Sequence, residues 1–180
     1  MTQNVTDHAQ SRELDTRFGI TGDPGAYFSQ AALEGNGRKY SPWYAHLLST
    51  LVVAAAGEKI VFARGKFVDD ARDIVEVHVV TSARVIFSRI DLVREAKTLP
   101  QAHVIPRSNL QALCVSVGAR IDEDSSLGTG WPGKISFEAT FRGLDAPLVA
   151  EGDAYTHPGT QVPSSTYELL QGLQADLTKE

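Results

Sequence analysis

From Gly57 onward the chain breaks into short runs of β-type residues separated by turn residues, and it closes on one amphipathic helical stretch. KIVFARGKFV, DIVEVHVV, ARVIFSRI, QAHVIP, LQALCVSV, KISFEATF and PLVA make seven candidate strands between Lys59 and Ala150. The gaps between them leave no room for crossover helices, so a doubly wound parallel sheet is excluded and antiparallel pairing is expected. KISFEATF alternates, with Ile135, Phe137, Ala139 and Phe141 on one side and Ser136, Glu138, Thr140 and Arg142 on the other, the pattern of a strand with one wet face. In DIVEVHVV, Val75, Val77 and Val79 share one face, and a tight turn at Ser82 and Ala83 leads into ARVIFSRI as a hairpin.

The first 56 residues read differently. Residues 1 to about 17 are polar and mixed in charge, the composition of a frayed tail. A turn at Gly22 to Gly25 and a short helix from Ala26 to Glu34 follow. SPWYAHLLSTLVVAAAG carries a helix, with Ser41 at the N-cap, Pro42 where its missing N–H costs nothing, and Gly57 at C′. Trp43, Leu47, Leu51 and Ala54 form its apolar stripe, while Val52, Val53 and Ala55 lie away from that stripe. The last helix spans Ser164 to Leu177, with a capping box from Ser165 to Glu168 and a stripe of Thr166, Leu170, Leu173 and Leu177.

Charge and composition exclude several functions. The 17 basic and 22 acidic residues give a formal charge of -5, which offers no broad positive surface for nucleic acid. No secretory signal is visible, and the longest apolar run, Leu47 to Ala56, is far short of a membrane span, so a cytoplasmic protein is expected. His8, His46, His78, His103 and His157 show no metal-ligand spacing, so no metal or cofactor is expected. His46 and His78 read as surface or hydrogen-bonded residues. Cys114, inside an apolar run, reads as an inert buried thiol, and no nucleophile elbow occurs. The acids Asp122, Glu123 and Asp124 read as a solvated loop, and EGNGRKY (Glu34 to Tyr40) as a connector, since it lacks the phosphate-loop pattern. Trp131, between Gly130 and Pro132, is a ring placed to anchor a partner.

GEKIVFA (Gly57 to Ala63), VVTSARVIF (Val79 to Phe87) and VIPRSNLQALCVSV (Val104 to Val117), followed by the closing helix, resemble the pleckstrin-homology-like barrel, in particular its bacterial branch. The resemblance covers about Gly57 to Leu177. It implies an α+β fold: a bent, seven-stranded antiparallel barrel with a C-terminal capping helix over residues 57–180, preceded by a tail and helical extension over 1–56. It also implies a non-enzymatic module that binds a protein or peptide, or another copy of itself. Phosphoinositide-binding members cluster Lys and Arg around the first two strands; here Asp69, Asp70 and Asp73 counter Arg64, Lys66 and Arg72, so such binding is not expected. The rival is a nuclear-transport-factor-like α+β cone, enclosing a pocket for a small ligand as a carrier or isomerase. QAHVIP offers little edge protection apart from its proline. Together with the second apolar face of the helix at Val52, Val53 and Ala55, it leads to the expectation of a homo-oligomer with residues 41–56 at the interface.

Overall fold

The computed structural model describes residues 2–21, 33–34, 39–68, 71, 73–93, 99–118, 132–156 and 162–178. The protein is α+β, with antiparallel sheets of four and three strands, and it divides into two compact units, Met1–Val104 and Ile105–Glu180. No described helix is long and apolar enough to cross a membrane.

The first unit begins with helix α1 (Thr2–Thr21), where a frayed tail was expected. Gln10, Leu14 and Phe18 recur at four-residue spacing and are all buried, so two apolar side chains and an amide form the inward stripe. Polar side chains then tie the helix down. Gln10 donates to the Glu58 carbonyl at 2.7 Å, and Asp15 accepts from the Tyr44 hydroxyl at 2.8 Å. The two-residue strands β1 (Leu33–Glu34) and β2 (Lys39–Tyr40) pair with each other, so Glu34 is in a strand and not in a helix; the rest of the expected helix from Ala26 lies outside the described residues.

Helix α2 (Pro42–Ala55) starts as its sequence predicts, with Pro42 in the first turn and Ser41 at the N-cap, although the Ser41 hydroxyl makes no cap bond. It ends in two successive left-handed residues, Ala56 at φ 51 and Gly57 at φ 76. Its buried stripe is Tyr44, Leu47, Leu48, Leu51, Val52 and Ala55. Val52 and Ala55 therefore belong to the stripe, while Val53 is 79% exposed.

Both helices pack on one face of strands β3 (Ile60–Phe67), β4 (Ile74–Thr81) and β5 (Arg84–Asp91), burying Ala63, Val75, Val77, Val79, Ile86 and Ile90. The sheet order is β3-β4-β5-β6, with β6 spanning His103–Pro106 at the unit boundary. The β4–β5 hairpin closes at Ser82 and Ala83 without an Asn-Gly pair: Thr81 Oγ1 accepts the Arg84 amide at 2.9 Å and fixes the turn.

In the second unit a 3-10 turn (Arg107–Asn109) leads into β7 (Leu110–Val117), β8 (Lys134–Phe141) and β9 (Leu148–Asp153), in that spatial order. Ile135, Phe137, Ala139 and Phe141 are buried, as the alternation of KISFEATF predicts. Helix α3 (Ser165–Leu177) adds Thr166, Leu169, Leu170 and Leu173 to this core. Its cap is one residue earlier than expected: Ser164 Oγ accepts from the Tyr167 amide, so Glu168 falls outside a capping box. Leu177, placed in the stripe by spacing, is 46% exposed.

Candidate functional site

Two features stand apart from the packing just described. The first is the open edge of β7. This strand is terminal in its sheet, and no described strand pairs with its outer side. The Gly118 amide donates to the Lys134 carbonyl at 2.7 Å, which fixes the phase of the β7–β8 ladder. Ser116 and Cys114 turn their backbone groups toward β8, and Val117, Val115 and Leu113 turn theirs outward. The side chains of those same three residues lie on the face shared with Ile135, Phe137 and Ala139, their ladder partners. Yet Val115 is 39% and Val117 50% exposed, so an apolar row continues from the buried sheet into solvent. Gln111, Ala112, Cys114 and Ser116 are exposed as well.

Cys114 is thus exposed and not the buried thiol its apolar neighbours suggest. An edge strand has a neighbour on one side only, and alternation along the strand does not say whether either of its faces is covered.

A terminal strand of the first unit's sheet contrasts with this one. Strand β3 is terminal too, but α1 lies against it, and Arg17 donates to the carbonyls of Ile60 and Val61, both at 3.1 Å. Arg64 and Lys66 add charge further along β3. Charge and side-chain cover are the usual protections of a sheet edge, and β7 has no charged residue from Leu110 to Val117.

The second feature is the sheet face of the first unit turned away from α1 and α2. Register sets Arg64, His78 and Phe87 in one row across β3, β4 and β5, with Lys66, Glu76 and Arg89 in the next. Glu76 pairs with Lys66 at 3.4 Å and with Arg89 at 3.1 Å. The His78 ring lies 4.9 Å from the Phe87 ring, and Phe87 in turn 6.4 Å from His103. Placed by sequence among surface or hydrogen-bonded histidines, His78 is only 8% exposed, and its Nε2 has no hydrogen-bond partner. Burial first, then the Lys66 and Arg64 cations, hold its pKa down at about 4. The ring is neutral at physiological pH.

The other expected site residues are dispersed. Val52 is part of the core cluster of its own unit, whereas Val53 faces solvent. Trp131, His157 and the acids Asp122 to Asp124 lie outside the described residues, as do Asp69, Asp70 and Arg72 of the expected charge balance. His8, His46 and His103 are exposed. Among the described residues no group of three or more potential ligands is placed to hold a metal ion. The bare edge of β7 could have been sought in the sequence: LQALCVSV lacks charge and proline, the two gatekeepers an open edge ordinarily carries. In comparison with known proteins, no family model, no curated protein and no solved structure matches the chain.

Proposed function

We propose that this chain is a non-enzymatic protein-binding or assembly module of the pleckstrin-homology-like kind, and that it takes its partner by strand addition on β7. The order of elements supports the fold: four antiparallel strands, then three, then one helix packed on the last sheet. The observation that carries the binding mode is the outer side of β7. Its backbone donors and acceptors at Leu113, Val115 and Val117 point outward beside exposed apolar side chains, which is what an added strand uses for affinity and for selection. Phosphoinositide is no part of this reading, which is supported by Glu76 pairing with two of the cations on the first sheet, Lys66 and Arg89.

Proline scanning along β7 tests the mode. Val115→Pro removes an outward N–H and leaves the β7–β8 ladder whole, a placement that edge strands tolerate. It is expected to preserve the melting temperature and abolish association with any strand-adding partner. Ser116→Pro deletes a ladder donor and is expected to unfold the second unit. Association undiminished in a folded Val115→Pro protein refutes strand addition.

A second reading, a cone with a pocket for a small ligand, draws on His78. A buried neutral imidazole with a free nitrogen beside two cations is the kind of group binding pockets use. It predicts that small anionic or polar fragments shift the His78 ring resonances, and silence of those resonances removes it.

A further inference from the structure

We infer that the strand added to β7 is β7 of a second copy of this chain, antiparallel, about a two-fold axis that passes between the two Val115 residues. This rests on the reading of β7 as the binding edge and goes beyond it by naming the occupant and the register.

Backbone phase limits the choices. Since Leu113, Val115 and Val117 turn N–H and C=O outward, an antiparallel copy must set its own outward residues opposite them. Several registers satisfy this; one centred on Leu113 sets Val115 against the polar Gln111, and one centred on Ser116 pairs Val115 with Val117 but carries Leu113 past the end of the strand. With the axis at Cys114, Val115 faces Leu113 of the second copy, but Val117 faces the polar Gln111. With the axis at Val115, Val115 faces Val115 of the second copy and Leu113 faces Val117 on both sides. From Leu113 to Val117 every cross-strand pair on the apolar face is then apolar, and each half-exposed side chain gains an apolar neighbour across the new ladder.

Charge points to the same occupant. Leu110 to Val117 has no ionisable side chain other than the Cys114 thiol, so self-pairing opposes no like charges. The apolar pattern Leu113, Val115, Val117 reads nearly the same in either direction, which an antiparallel self-contact requires. A two-fold contact also closes on itself, consuming the β7 edge of both copies.

On the opposite face this register sets Cys114 against Ser116 of the second copy in a non-hydrogen-bonded pair, where Cα atoms approach to about 4.5 Å. The two Cys114 residues are then diagonal, beyond the roughly 7 Å that a disulfide spans without backbone movement. Oxidation of Ser116→Cys is therefore expected to yield a covalent two-chain product through the native Cys114, while wild type stays uncrosslinked. In light scattering, wild type is expected at twice the chain mass. Val115→Lys and Val115→Glu are each expected at one chain mass, and their equimolar mixture is expected to recover the doubled mass, since Val115 faces only itself. Should either charge variant fail to fold, the cross-link at the exposed position 116 still decides. A wild-type mass of one chain overturns the inference, as does cross-linking of wild type through Cys114 as efficient as that of Ser116→Cys. A monomer that still binds another protein in a manner abolished by Val115→Pro removes the second copy and leaves strand addition standing; a monomer that binds nothing there removes both.

Discussion

Arg107 lies across Gly172 and reaches Asp176: its Nη2 is 2.6 Å and its Nε 2.8 Å from Asp176 Oδ2, and a Cβ built on Gly172 would meet Nη2 at 2.9 Å. A glycine inside a helix ordinarily costs about 1 kcal/mol against alanine. Here it makes room for a guanidinium, so that a largely buried ion pair ties α3 to the turn before β7. Gly152 in β9 does the same for Thr166, whose Oγ1 lies 2.9 Å from where a Cβ would stand.

Gly172→Ala is accordingly expected to lower stability by about 1 to 2 kcal/mol in spite of its better helix propensity, because the guanidinium must move and loosen its bond to Asp176. In an Arg107→Ala background the sign is expected to reverse. A double-mutant cycle by chemical denaturation reads the coupling. Additive effects contradict the assignment.

The stripe of α3 gives a second comparison. Leu173 is fully buried and Leu177 is nearly half exposed. Leu173→Ala is expected to cost about 2 to 5 kcal/mol, and Leu177→Ala well under 1 kcal/mol. Equal costs in thermal or denaturant unfolding contradict the packing described for α3.

The seven strands were legible because alternation and turn residues mark a strand locally, and KISFEATF shows its buried face in its own letters. Helix α1 was not legible, because its inward stripe is only Leu14 and Phe18 with Gln10, and its anchoring runs through Arg17 and Asp15 to groups dozens of residues away. The outer strand of the second sheet misled for a related reason. Leu113, Cys114 and Val115 look like core in sequence, and only the sheet order makes them an edge. His78 is the converse: a polar letter, on the side of β4 away from Val75, Val77 and Val79, that the structure nevertheless buries. Local pattern assigns a residue to a face. Long-range packing decides whether that face is covered.

Removal of residues 1–21 is expected to destabilise the first unit, since it uncovers the surface that buries Leu14 and Phe18 and strips Arg17 from the edge of β3. Loss of two fully buried large side chains alone is on the order of several kcal/mol. Calorimetry of the truncated chain checks this, and an unchanged transition returns α1 to the status of a tail.

The buried imidazole makes stability depend on pH with a definite sign. His78 takes its proton at about 4 in the folded chain, against 6.5 ordinarily, so between those values the unfolded chain binds more protons. Stability is therefore whole above pH 6.5, falls as pH drops toward 4, and loses nothing further from this group below it; the total is about 3 kcal/mol. Arg64 and Lys66 sharpen the effect, and His78→Leu is expected to flatten this part of the curve in denaturant titrations. A slope that persists unchanged in His78→Leu assigns it to other groups.

The outward amides of β7 offer the most direct reading of the central claim, that this edge receives a strand. Residue-resolved hydrogen exchange distinguishes them from their neighbours, because Cys114 and Ser116 donate to β8 in any state while Leu113, Val115 and Val117 donate only to an added strand. Protection at Leu113, Val115 and Val117 is expected to rise with protein concentration, with Cys114 and Ser116 protected throughout. Exchange at those three amides as fast at high concentration as at low, in a folded protein, contradicts β7 of a second copy as that strand, and exchange that stays as fast when a binding partner is added contradicts strand addition itself.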